Sequence, residues 1–322
     1  VIIAEGLLPV FFALAVGYFA GRMKIIANTH VEALDTLVMS FALPIALFTI
    51  LAGSRRSDVL QHSAFALAAV SVMVAVYAGM FFVQRGLFHQ TSQTAAIMAL
   101  TVAYPNSAAI GLPLADSVLG GTGRLAVAVL LAVGSITISP TTIAILDKSI
   151  PPAPVGAGSD AAPPVRRVGT ARAIALALRN PIVIAPIAGI VWCLIGLPFP
   201  YLAESTLSAV GDITGGVALI LTGLVLSTQR LSITPNVGVS AIVADVVRPL
   251  LALLAVKLFG ITGPMAAETV LLLAVPSGFF GVLLAIAHHD DARLPGATLF
   301  YSILLSAATL SVVILLVPTL RS

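Results

Sequence analysis

The residues best suited to chemistry lie in two apolar runs, VAYPNSAAIGLPLA around Pro105 and LAVPSGFFGVLLA around Pro276. Each reads as a helix broken in its middle. A proline inside a helix removes one backbone hydrogen bond and clashes with the preceding turn, and a neighbouring Gly or Asn eases unwinding. The first break involves Tyr104, Pro105, Asn106 and Ser107, and the second Pro276, Ser277 and Gly278. In hydrocarbon, unwound backbone is tolerated only where it lines an enclosed or watery cavity. Two breaks at matching places therefore predict a binding site at the membrane midplane. Half-helices starting near Ser107 and Ser277 would aim positive dipole ends and free N–H groups at that site, which favours an anion. Asn106 can bond to such a ligand or satisfy the carbonyls that Pro105 frees, whereas Tyr104 reads more as wall than as ligand.

A second signal is charge inside an apolar stretch. Asp245 and Arg248 lie midway along VSAIVADVVRPLLALLAVK, where each ionisable group costs roughly 2.5–3.5 kcal/mol on insertion scales. Their i, i+3 spacing puts them on one helix face, so a structural ion pair is one reading. The other is functional: Arg248 attracts an anion, or Asp245 takes up a proton. Asp35, Asp116, Asp212 and Lys257 read as structural. The polar group His288, His289, Asp290 and Asp291 could hold a metal but reads more simply as a solvated loop. Cys193 stands alone, which excludes an intrachain disulfide and any Cys-x-x-Cys site.

The elements that position these residues follow from composition. Of the 322 residues 59% are hydrophobic and 9% charged, and the mean hydropathy is +1.11, a usage that requires lipid as solvent. A span takes about 20 residues, and the chain reads as spans near 3–20, 32–52, 62–84, 95–119 and 124–146, then 181–197, 203–227, 236–259, 266–287 and 296–318. The fold class expected is all-α, with ten transmembrane helices as two inverted five-helix repeats, 1–146 and 181–322. Between them, 147–180 is rich in Pro and Gly and reads as a flexible cytoplasmic linker. Barrel strands are unlike these continuously apolar runs. The opening residues VIIAEGLLPVFFALAVGYFA lack a basic start and read as the first helix rather than a signal peptide. Gly17-x-x-x-Gly21 and Gly211-x-x-x-Gly215 allow close helix approach, and the Ser- and Thr-rich spans five and ten suit packing beside the broken helices.

Lys and Arg set orientation. With the N-terminus outside, ten basic residues (Arg22, Lys24, Arg85, Lys148, Arg166, Arg167, Arg172, Arg179, Arg230 and Arg293) face the cytoplasm and four (Arg55, Arg56, Arg124 and Arg321) face outward. Both termini are thus expected outside a cell membrane. The net charge of +3 is then topology and no reason to expect nucleic acid as a partner.

The pattern resembles the auxin efflux carrier family, within the wider bile acid, arsenite and riboflavin transporter group. The resemblance rests on GYFAGRMKI, LVMSFALPIALF, YPNSAAIGLPL, NPIVIAPIAGIVWCLIGLP, VVRPLLAL, VPSGFFG and LLSAATLSVV, in that order along nearly the whole chain. It implies a scaffold of spans one, two, six and seven, often dimeric, and a transport domain of spans three to five and eight to ten. It also implies broken helices four and nine crossing at the substrate, with Pro105, Asn106, Pro276, Ser277 and Gly278 in the crossover and Ser40 approaching from the scaffold. Family members carry carboxylates by an elevator-like movement. The run VPSGFFG of span nine lacks the glutamate that sodium-coupled bile acid relatives use, so a proton-linked or uncoupled carrier of small organic anions, without cofactor, is expected ahead of a sodium symporter. A receptor that binds the anion without moving it is the alternative of another class. An enzyme is weakest, since no His-Glu-x-x-His, Gly-x-Ser-x-Gly or phosphate loop occurs.

Overall fold

The computed structural model describes residues 2–26, 31–149, 175, 178–229, 232–288 and 290–321. In hydrocarbon every backbone N–H and C=O must be bonded within the chain, and a continuously apolar run meets that demand by coiling. The described residues are accordingly helical. They form α1 (Ile2–Arg22), α2 (Val31–Ala52), a short helix Arg56–Gln61, α3 (Ser63–Gly86), the half-helices α4a (Ser92–Ala103) and α4b (Ser107–Val118), and α5 (Gly121–Ser149). There follow α6 (Pro181–Ile195), α7 (Tyr201–Thr228), α8 (Pro235–Leu258), the half-helices α9a (Pro264–Ala274) and α9b (Phe280–Ala287), and α10 (Arg293–Arg321). No strand occurs among the described residues, which hold one isolated antiparallel pairing, Pro105 with Ser277. Six helices, α2, α3, α5, α7, α8 and α10, are long and apolar enough to cross a membrane by length and composition alone.

Local chemistry sets where the helices start and stop. Thr91, Asn180 and Thr234 accept from the N–H groups of Thr94, Ile182 and Val237, capping α4a, α6 and α8. Pro181 and Pro235 fill first positions where no N–H is needed, and Gly196, at φ 80°, ends α6.

Three helices widen into a π-turn, at Val38–Ala42, Ser107–Gly111 and Val243–Val247. Each ends two residues before a proline, Pro44, Pro113 and Pro249. Because proline has no N–H and crowds the carbonyl four residues back, the ladder loosens there, and the N–H groups of Leu43, Leu112 and Arg248 reach five residues back to Val38, Ser107 and Val243.

The helices pack in two groups. One contains α1, α2, α6 and α7, with α1 along α7 and α2 against α6; the other contains α3, α4a, α5, α8, α9a, α9b and α10, and α4b lies between them, touching α1 and α7 as well as α5. Gly17 sets the first contact, since a Cβ there would lie 2.1 Å from the Ile220 carbonyl oxygen. In Gly211-x-x-x-Gly215 only the first glycine is tightly packed, 2.9 Å from the Ala46 Cα, while the second meets nothing nearer than Pro113 at 3.6 Å. In the other group Gln84 of α3 and Asn236 of α8 exchange amide hydrogen bonds of 2.6 and 2.8 Å.

The geometry departs from the sequence reading in three places. The second half of the broken helix nine starts at Phe280 rather than near Ser277, so Ser277 belongs to an extended break. Asp212 lies at a kink within α7, between Tyr201–Gly211 and Ile213–Thr228, rather than near a helix start. Helix α5 continues through Asp147 to Ser149. Most of the expected linker lies outside the described residues, as do Arg230 and His289.

Candidate functional site

The two breaks meet. The Asn106 N–H donates to the Pro276 carbonyl at 2.9 Å, and the Gly278 N–H donates to the Thr101 carbonyl at 3.2 Å. A Cβ on Gly278 would lie 2.6 Å from the Tyr104 carbonyl oxygen, so only glycine admits this approach. The Ser277 N–H donates to the Ser302 hydroxyl of α10 at 2.9 Å. Each break thus satisfies backbone that the other, or α10, would otherwise leave bare in an apolar interior.

Arg248 completes this accounting. Its side chain is fully buried, at 0% exposure. Nε donates to the Leu273 carbonyl at 2.8 Å, Nη1 to Val102 at 2.6 Å, and Nη2 to Val275. These carbonyls end α4a and α9a, where a helix has acceptors and no N–H of its own to fill them. One guanidinium therefore joins both half-helix C-termini, and its positive charge suits the negative end of each dipole. The i, i+3 pairing with Asp245 does not close: no ion pair forms between them among the described residues. The π-turn that contains Asp245 distorts the spacing, and the guanidinium is already committed to carbonyls. Asp245 is 1% exposed. Neither of its carboxylate oxygens has a hydrogen-bond partner among the described residues.

At the crossover three side-chain groups have no partner among the described residues: Asn106 Nδ2, Ser107 Oγ and Ser277 Oγ. They are 3%, 1% and 0% exposed for the whole residues. A buried polar group without a bond costs about 1–3 kcal/mol, so three together concentrate an unmet demand at the crossover. Asn106 offers N–H donors, and both serines can donate O–H. Thr214 Oγ1 on α7 and Thr298 Oγ1 on α10 are also buried without a bond. The Tyr104 hydroxyl donates to the Leu131 carbonyl of α5 at 3.1 Å, and its ring meets Phe280 edge-on at 5.4 Å.

A cavity of about 720 Å³ lies between the start of α2 (Val31, Asp35, Met39), Asn180 before α6, Thr228 at the end of α7, and α9b from Phe280 to Ala287. It reaches Phe280, which stacks on Phe279 at 5.2 Å and touches Tyr104. Ser40 sits in the first π-turn and is exposed, one residue beyond the cavity-lining Met39.

At the opposite end of α4b, Arg124 of α5 holds Asp116 through two bonds of 2.7 and 2.9 Å and reaches Asp212 of α7 at 3.4 Å. The polar residues between α9b and α10 engage separate partners. His288 bonds the Leu284 carbonyl, Asp290 accepts from Thr94, and Asp291 pairs with Arg293, whose hydrogen bonds hold the Asp291 carboxyl below its usual range. Cys193 donates to the Ser54 carbonyl. Sequence reasoning missed Thr101 and Ser302 individually. Ser302 left a trace only as part of a Ser-rich span ten, because a hydroxyl's partner lies in another helix.

An all-helical, strongly apolar chain whose two interrupted helices meet around unpartnered polar groups has the make-up of a membrane transporter. The comparison with known families agrees: a family model described as membrane transport protein matches residues 2–314. The chain belongs to that family, the auxin efflux carriers of the sequence resemblance. "Uncharacterized transporter YfdV" of Escherichia coli (strain K12) is 25% identical over 301 residues, covering 92% of each chain. "Putative malonate transporter" of Rhizobium meliloti (strain 1021) is 26% identical over 309 residues, covering 94% of this chain and 92% of that one.

Proposed function

We propose that the protein is a secondary active transporter of small organic anions, mono- or dicarboxylates of the malonate class, working by elevator-type alternating access. The observation that carries this reading is the trio of buried, unpartnered donors, Asn106 Nδ2, Ser107 Oγ and Ser277 Oγ, at the meeting of the two breaks. A carboxylate accepts only, and its oxygens offer about four lone-pair sites, so it matches donors and the N-terminal end of α4b. The name of the relative from Rhizobium meliloti makes malonate the first substrate to try.

In this reading the helices form two inverted five-helix repeats. The scaffold is α1, α2, α6 and α7, with a homodimer through it, and the remaining helices move as a body. Two observations support that division: apart from α4b, which touches both, the helices pack in these two groups, and among the described residues the ion pair that crosses between them, Arg124 to Asp212, is exposed and joins α5 to α7. With basic loops at the cytoplasm, the cavity beside Asn180 and Thr228 opens inward and the Arg124 cluster closes the outer side.

Counterflow tests the reading. Proteoliposomes loaded with unlabelled malonate should take up labelled malonate saturably, and Asn106→Ala should reduce that uptake. Binding without any counterflow, across malonate and a panel of mono- and dicarboxylates, would instead make the protein a receptor.

A further inference from the structure

The groups left unpartnered at the crossover are all neutral. Asn106 Nδ2, Ser107 Oγ and Ser277 Oγ are buried donors without a formal charge, and α4b begins beside them at Ser107. Neutral donors at a helix N-terminus suit one carboxylate. A second ionised carboxylate in the same interior would need a cation of its own, because an uncompensated buried charge is strongly disfavoured.

The cation tied to both breaks is Arg248, and each of its three nitrogens already donates to a carbonyl, of Leu273, Val102 or Val275. A single charge offsets a single charge, and the buried Asp245 carboxyl lies three residues earlier on the same helix. The other described cations on the helices packed around the crossover stand near helix ends: Arg85 on α3, Arg124 and Lys148 on α5, Lys257 on α8, Arg293 and Arg321 on α10. Of these, Arg124 is held by Asp116 and Arg293 by Asp291. Ser92–Ala103, Phe280–Ala287 and Ile213–Thr228 contain no charged residue, and Pro264–Ala274 contains only Glu268, bonded to His62 at 3.2 Å. Carboxylates also line the approaches. The cavity of about 720 Å³ that reaches Phe280 carries Glu32 and Asp35, and one Asp35 oxygen is buried without a partner. At the other end of α4b, a cleft of about 160 Å³ between Pro113 and Gly215 carries Asp116 and Asp212 around Arg124. Repulsion from these acids grows with each negative charge on the ligand.

We propose that the crossover takes a monoanion: a monocarboxylate, or a dicarboxylate with one carboxyl protonated. This choice rests on the anion-carrier reading above and narrows its substrate class by charge. The ionised carboxylate of such a ligand accepts from Asn106, Ser107 and Ser277, and its neutral carboxyl group brings both a donor and an acceptor of its own. The proton of a half-protonated diacid travels on the substrate. Its O–H bond forms in solution on one side of the membrane and breaks in solution on the other, so no group of the protein has to titrate. An acidic outside then drives dicarboxylate uptake by raising the concentration of the monoanion there.

Titration calorimetry of the purified chain in detergent tests the charge selection. Malonate and its monomethyl ester are compared from below malonate's second ionisation to well above it, a range over which the ester stays singly charged. For total malonate the Kd should rise about tenfold per pH unit above that ionisation, as the share of monoanion falls, while the ester's Kd stays level. A level ester curve also separates titration of the ligand from titration of the protein. A malonate Kd that ignores the second ionisation overturns the proposal, as does a parallel rise for both ligands, or failure of the ester and of every monocarboxylate tried to bind. Counterflow in proteoliposomes reads the carrier idea separately. Binding with the expected charge selection and no counterflow leaves the monoanion assignment standing and makes the protein a receptor. Malonate counterflow whose half-saturation is independent of pH keeps the carrier and removes the assignment.

Discussion

The two breaks are made from similar residues and are built differently. In the first, the chain leaves the helix at Tyr104 and re-enters it at Ser107, so only three residues are extended or irregular. In the second, it leaves at Val275 and re-enters at Phe280. The short break turns Asn106 and Ser107 into side-chain donors directly before a helix. The longer break lies in contact with its surroundings through the main chain: Pro276 and Val275 give carbonyls, and Ser277 and Gly278 give N–H groups. The two breaks thus differ in emphasis, the first presenting the unpartnered Asn106 and Ser107 side chains and the second bonding mainly through its backbone beside the unpartnered Ser277 hydroxyl.

That contrast is easiest to break at Arg248, which serves both. Arg248→Met fills much of the same volume and leaves three buried carbonyls without a donor, so it should cost at least about 3 kcal/mol. Thermal unfolding in detergent measures this, and an unchanged melting temperature would show that the carbonyls find other partners. Next comes Gly278→Ala, where a methyl meets the Tyr104 backbone oxygen at 2.6 Å. Forcing the breaks apart should cost about 1–3 kcal/mol and reduce malonate counterflow together with stability. A matching Ala at Gly216, where a Cβ meets nothing within 4 Å, should do neither.

Side-chain donors should behave in the opposite way. Asn106→Ala removes a donor that has no partner in the protein, so the melting temperature should hold while half-saturation for malonate rises about tenfold or more. Ser107→Ala and Ser277→Ala should show smaller shifts of the same kind, and a loss of stability in either would place its hydroxyl among structural bonds instead. The smallest effect belongs to the Arg124 cluster. Its side chains are 47%, 37% and 65% exposed for Arg124, Asp116 and Asp212, and exposed pairs contribute at most about 1 kcal/mol. Arg124→Gln should leave stability nearly unchanged and alter malonate counterflow slightly, with the difference vanishing in high salt.

Much of this was legible in the chain. Pro105 and Pro276 announce their breaks because proline's missing N–H acts locally, whatever surrounds it. Helix existence and approximate ends follow from runs long enough to meet the hydrocarbon's demand for internal bonding. The start of α9b was misplaced because the length of a break depends on what receives its freed N–H and C=O groups, and those receivers, Thr101, Ser302 and Arg248, lie in other helices. The expected Asp245–Arg248 pair failed for a related reason. Helical spacing allows the contact, but it does not register that a π-turn intervenes or that the guanidinium has stronger claims on it.

The sequence by itself determined the membrane class, the family, the helical segments, the two interruptions and the polar residues within them. These are consequences of composition and near-neighbour geometry. Only the tertiary structure decided that the breaks touch, that Arg248 joins both helix ends, that Tyr104 is held by Leu131, and which donors stay unpaired. Those facts depend on hydrogen-bond partners far apart in the chain, whose distances are fixed by packing.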